Sequence, residues 1–255
     1  AFKGSTDIAI GNIIGSNIAN ILLIAGISAI VANIKIKKTT IWREMPLALL
    51  AVMLVFMLGI DNSLSRSDGL ILIGFFLAFF CYTARMAMKG VSSADKNDND
   101  GIKIYSYKIS FLMTIGGLVG LFFGGNVLVE NAVKIAKCAG LSEMFIGLTI
   151  VAIGTSLPEM ATSIMAVCKK QDDIAIGNVI GSNIFNIFWI LGLTSILKPI
   201  PINEKAIADI LVCLAVTLSL FVFMFIGKKY ELKRWQGIFF VSSYALYLAY
   251  LISRG

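Results

Sequence analysis

Within an apolar run, the stretch VAIGTSLPEMATS (residues 151–163) carries a single acid, Glu159. Thr155 and Ser156 place hydroxyls just ahead of it, and Pro158 precedes it directly. Proline removes a backbone N–H and clashes with the preceding turn. A helix through this stretch should therefore break near Gly154–Pro158 and free carbonyls about four residues earlier. Two further stretches, GSNIAN and GSNIFN, set Ser16 with Asn20 and Ser182 with Asn186 four residues apart, on one helix face. Carboxylate, hydroxyl, amide and carbonyl oxygens are hard ligands, suited to Ca²⁺ and alkali ions and not to zinc or copper. The chain has no His, which removes imidazole metal sites and Ser-His-Asp triads, and Cys81, Cys138, Cys168 and Cys213 have no ligand spacing. Ser156 has no neighbouring base and GTSLP is not the G-x-S-x-G nucleophile turn, so neither an enzyme nor a cofactor is expected. The chemistry on offer is an oxygen cage for a cation.

The elements that must position this cage span a membrane. Of 255 residues, 58% are hydrophobic and 15% charged, and the mean hydropathy is +0.87, far above that of soluble domains. Eight apolar segments long enough to cross a bilayer as helices fall at about 8–33, 42–60, 69–88, 109–136, 143–168, 174–197, 206–227 and 236–252. Glu159 sits near the middle of its segment, where an ionised carboxylate is costly unless it faces a bundle interior or a hydrated cavity. No Lys or Arg occurs at mid-depth in any segment, which leaves a metal ion or a proton as its partner. The net charge of +7 resides in the connections, with 15 Lys and Arg on one side and 7 on the other. The richer side is read as cytoplasmic. The expected partner is thus the lipid bilayer and not nucleic acid, in a multi-pass plasma or inner membrane protein with segment 90–107 cytoplasmic and the C-terminus outside.

Residues 7–30 (DIAIGNIIGSNIANILLIAGISAI) and 173–196 (DIAIGNVIGSNIFNIFWILGLTSI) are about two-thirds identical. The copies fall in the first and sixth of the eight segments, with four between them, so they run in opposite directions, as in the inverted repeats of many secondary transporters. The expected fold is an all-α polytopic bundle of two inverted halves, 1–89 and 108–255, joined by the linker 90–107. The first-half counterpart of Glu159 would lie upstream of Ala1, so eight helices of an expected ten are present. With one carboxylate where a divalent cation wants two, residues 1–255 alone are not expected to transport. Small-residue spacings at Gly11–Gly15 and Gly177–Gly181 suggest close helix approach. Asn12 and Asn178 are expected to stabilise helix breaks, and Glu130, near a segment end, to be solvated. The acidic stretch from Asp95 has Gly101 seventh and Ser106 twelfth, which does not fit an EF-hand loop.

GTSLPEM followed by GNVIGSNIFNI, with GNIIGSNIANI in the other half, resembles the alpha repeats of the cation/Ca²⁺ exchanger superfamily, most closely its prokaryotic sodium/calcium exchanger branch. The resemblance implies antiport of Ca²⁺ against Na⁺ by alternating access. It assigns Glu159 as the shared carboxylate, Thr155 and Ala152 as backbone-carbonyl ligands of Ca²⁺ and Na⁺ respectively, Ser156, Ser182 and Ser16 as Na⁺ ligands, and Asn20 and Asn186 to the central position. It also implies that segment 109–136 slides as a gate. Many relatives carry Asp at the position of Asn186, so this cavity holds one fewer negative charge. Ca²⁺/H⁺ exchange is the alternative transport reading. A non-transporting scaffold or receptor that keeps the fold is the alternative of another class.

Overall fold

The computed structural model describes residues 6–92, 106–138, 154, 156–227 and 230–254. Among them, seven helices are long and apolar enough to span a bilayer: Ile10–Val31, Thr40–Asp61, Arg66–Met86, Tyr107–Ile135, Asp172–Leu197, Glu204–Phe223 and Arg234–Arg254. Each agrees with an expected segment to within a few residues. The remaining segment, 143–168, is described mainly as the shorter helix Leu157–Cys168. Large apolar side chains such as Leu70, Phe80, Leu211 and Leu246 stay exposed, as lipid-facing positions should, while the interior is built from Ile10, Ile14, Ile18, Ile24, Ile180 and Phe188.

The two copies of the repeat fold alike. Helix α1 (Thr6–Ala19) passes into a π-helical segment, Asn20–Ala25, and then α2 (Gly26–Val31). After β1 (Ile34–Lys35), α3 (Met45–Leu58), β2 (Ser63–Leu64), α4 (Arg66–Ser92) and α5 (Tyr107–Cys138) follow. The second copy runs through α6 (Leu157–Cys168), α7 (Asp172–Phe185), a π-helical segment Asn186–Leu191 and α8 (Gly192–Leu197), then β3 (Ile200–Pro201), α9 (Glu204–Phe223), β4 (Glu231–Leu232) and α10 (Arg234–Arg254). The π segments of the two copies both begin at the asparagine that follows GSNI-x; a third, Thr40–Glu44, precedes α3. A π segment shifts the helix register and frees backbone groups, and such segments concentrate at functional sites.

The halves are interlocked. Ile34 pairs with Leu232 and Leu64 with Ile200, in two short antiparallel ladders that each join one half to the other. An all-α expectation misses these ladders, because two-residue pairings leave no periodic signal. Capping is mirrored as well: Ser65 N–H donates to Asp68 Oδ2 at 2.7 Å, and Lys233 N–H to Gln236 Oε1 at 2.7 Å, at the starts of α4 and α10. Asp172 and Asp173 sit in the first turn of α7, where the helix dipole favours them. They hold the first half through Lys35 N–H (3.0 Å) and Lys37 (2.7 Å).

Close helix approach is seen at glycines other than those the spacing singled out. Among the described residues, a Cβ at Gly11, Gly15, Gly177 or Gly181 would meet nothing within 4 Å. At Gly237 it would sit 2.5 Å from Gly26 O, and at Gly69 2.6 Å from Gly192 O. These two crossings, α10 on α2 and α4 on α8, are mirror images.

Candidate functional site

The break expected near Gly154–Pro158 is a helix start. Ser156 stands at the N-cap with φ −100° and ψ 6°, and α6 begins at Leu157. Pro158 lies in the first turn, where its missing N–H would have had no intrahelical acceptor in any case. Glu159 is also in that turn, so its carboxylate lies at the positive end of the helix dipole. Its Oε2 is buried and makes no hydrogen bond. Nor does any basic side chain pair with Glu159 among the described residues.

Helix α7 clamps this turn in place. Asn178 Nδ2 donates to Glu159 O (3.0 Å) and to Ser163 Oγ (3.0 Å), and Ser163 Oγ in turn donates to Ala175 O (3.2 Å). These bonds fit the helix-break role expected of Asn178; its counterpart Asn12 is exposed among the described residues. Across the repeat, Ser16 Oγ lies 3.2 Å from Ser156 Oγ. A hydroxyl from the first copy thus meets one from the stretch that carries Glu159.

Where α1 crosses α7, four asparagines interlock with two-fold symmetry. Asn17 Nδ2 donates to Asn183 O (3.2 Å), and Asn183 Nδ2 returns to Asn17 O (3.1 Å). Asn20 Nδ2 donates to Asn183 Oδ1 (3.0 Å), and Asn186 Nδ2 to Asn17 Oδ1 (2.9 Å). With its amide donor engaged here, Asn20 keeps a buried Oδ1 that has no partner. Asn186 Oδ1 likewise makes no hydrogen bond among the described residues. All four side-chain amides donate at the crossing, while the side-chain oxygens of Asn20 and Asn186 accept nothing among the described residues.

Sequence reasoning named Asn20 and Asn186 but missed Asn17 and Asn183, which are wholly or almost wholly buried. The available signal was identity at the same offset in both copies, with Asn17 and Asn20 sharing a helix face. Ser182 is half-buried and adjoins Asn183, with no side-chain hydrogen bond. Thr155 and Ala152 lie outside the described residues. No group of three or more His, Cys, Asp or Glu forms among those described, so the donor set is one carboxylate with hydroxyl and amide oxygens. Two buried oxygens without donors, Glu159 Oε2 and Asn20 Oδ1, suit a hard cation.

Outside this centre, Glu130 pairs with Lys134 at 3.0 Å on an exposed face of α5, as a solvated acid should. The linker expectation at 90–107 falls largely outside the described residues.

Comparison with known proteins places this arrangement. The family described as sodium/calcium exchanger protein matches residues 1–84 and 109–253. The inner membrane protein YrbG of Escherichia coli is 36% identical, over 96% of this chain and 77% of its own length. The sodium/calcium exchanger MaX1 of Methanosarcina acetivorans is 29% identical, over 98% of this chain and 82% of its own. A solved structure of the sodium-calcium exchanger NCX_Mj superposes with a TM-score of 0.78 at 34% identity, covering 96% of this chain and 76% of that one.

Proposed function

The chain belongs to the sodium/calcium exchanger protein family, a family of membrane ion exchangers, and from that premise we propose that it exchanges Ca²⁺ for Na⁺ at the Glu159 centre. The observation that carries the reading is Glu159 Oε2: buried, unpartnered, at a helix N-terminus and tied by its backbone to Asn178. A carboxylate held without a donor is stabilised by a cation, and its burial makes it a poor place for a permanent, empty charge. Ser156, at the N-cap of the same helix, and Ser16, 3.2 Å from it, supply hydroxyl oxygens, and Asn20 supplies an amide oxygen. In this reading Ca²⁺ takes Glu159 and the Thr155 carbonyl. Na⁺ takes the Ser156, Ser16 and Ser182 hydroxyls and the Ala152 carbonyl, and Asn186 lines the centre. Because both ions draw on Glu159, one displaces the other, and that competition is what an antiporter requires.

Alternating access needs an element that moves without unpacking the cage. Helix α5 is suited to it. Gly120, Gly124 and Gly125 line a shallow groove against Pro158 and Ala161 of α6, and small residues on that face allow sliding with little interlocking. The four-asparagine crossing is the opposite kind of contact, because its reciprocal bonds fix α1 against α7.

The counter-ion is tested with ⁴⁵Ca²⁺ uptake into vesicles carrying the natural gene product. A Na⁺ gradient is expected to drive uptake, and a pH gradient alone is not. Uptake driven only by the pH gradient would reassign the protein to Ca²⁺/H⁺ exchange. Uptake by neither would favour a non-transporting role.

A further inference from the structure

A side-chain amide has a donor end and an acceptor end, and only the acceptor end can face a cation. At the crossing of α1 and α7 the backbone decides which end goes where. Asn17 O and Asn183 O are carbonyl oxygens, which accept and never donate. The Asn183 side chain, 3.1 Å from Asn17 O, must therefore turn Nδ2 toward that carbonyl, and the Asn17 side chain, 3.2 Å from Asn183 O, must do the same. Each Oδ1 is thereby turned onto the next amide along: Asn183 Oδ1 lies 3.0 Å from Asn20 Nδ2, and Asn17 Oδ1 lies 2.9 Å from Asn186 Nδ2.

Those oxygens again can only accept, so Asn20 and Asn186 present nitrogen to the crossing and turn oxygen away from it. Flipping Asn20 would set its oxygen against Asn183 Oδ1 and put two N–H groups where a buried Oδ1 now stands without a donor. Asn17, Asn20 and Asn183 are no more than 4% exposed, so water does not compete for these bonds. Two chains of orientation result, from Asn17 O through Asn183 to Asn20 and from Asn183 O through Asn17 to Asn186. They share no side chain.

We propose that Asn183 and Asn17 are positioning residues for the ion site, each fixing the amide of the other copy's ligand so that an oxygen, and not an N–H pair, meets the cation. Neither touches the ion itself. Partners behind a ligand commonly set its orientation and with it the affinity of the site. This role rests on the cation site read at Glu159 and goes beyond it, because it names the residues that make Asn20 and Asn186 attractive to positive charge. Each copy of the repeat orients the ligand of the other, so one copy alone would leave its amide free to turn.

The test compares Asn183→Ala with Asn183→Asp in the purified natural gene product, by calorimetric titration of Ca²⁺ and by thermal unfolding. Both variants lose the bond to Asn17 O, so both should unfold at a lower temperature. Only Asn183→Ala also loses the oxygen that holds Asn20, and it should weaken Ca²⁺ binding about tenfold. Asn183→Asp keeps an acceptor there and should bind Ca²⁺ no more weakly than the wild type. In an Asn20→Ala background, Asn183→Ala should change Ca²⁺ affinity by less than about twofold, because the ligand it orients is gone. Unchanged affinity in Asn183→Ala, weaker binding in Asn183→Asp, or losses that multiply in the double variant would overturn the proposal. If Asn183→Ala does not fold, the affinity of Asn183→Asp decides alone. Glu159→Gln separates this role from the reading beneath it: Ca²⁺ binding indifferent to Glu159→Gln overturns both, whereas Glu159-dependent binding indifferent to Asn183→Ala overturns the positioning role only.

Discussion

The two copies of the repeated helix, α1 and α7, carry the same residues through IGN and IGSNI, yet those residues do different things. At the crossing the copies behave identically, because Asn17 and Asn183 need only each other. One turn or so earlier they diverge. Asn178 ties α7 to Glu159 and Ser163 of α6, while Asn12 of α1 is exposed. A residue's role here follows from the helix laid against it. The repeat sets the symmetric core, and among the described residues the carboxylate comes from α6.

Breaking the symmetric part should cost most. Asn17→Leu and Asn183→Leu each strand a buried carbonyl and a buried amide, which predicts a loss of about 3 kcal/mol apiece. The two losses should agree within about 1 kcal/mol, as thermal unfolding in detergent would measure; one harmless substitution would end the claim of symmetry. Next come the two glycine crossings. Gly69→Ala and Gly237→Ala drive a methyl onto a backbone oxygen, at a cost of about 2 kcal/mol each. Smaller still, Asn178→Ala should lose about 1.5 kcal/mol, because its bonds to Glu159 and Ser163 are lost. A loss below about 0.5 kcal/mol would mean that these bonds do not hold α6 against α7.

Much of this was legible because membrane spans and repeats write themselves as length and identity. The segments and the helix break at Pro158 follow from residue types alone, and the same types single out Glu159, Ser156 and Ser16 as candidates, of which the fold brings the two serines together. What escaped depends on contacts between elements distant in sequence. Asn17 and Asn183 look like ordinary helix-packing amides until the two copies are crossed. The glycines that admit close approach, Gly26, Gly69, Gly192 and Gly237, stand singly, while the paired spacing at Gly177 and Gly181 points to space that no described residue fills. The π segments at Asn20 and Asn186 have no sequence period of their own.

The central claim is that Glu159 is a cation-binding carboxylate, and calorimetric titration of Ca²⁺ into the purified natural gene product tests it directly. Glu159→Gln should weaken Ca²⁺ binding by at least about 100-fold without lowering the unfolding midpoint, since the neutral amide relieves a buried charge that has no donor. Unchanged Ca²⁺ affinity in Glu159→Gln would contradict the account.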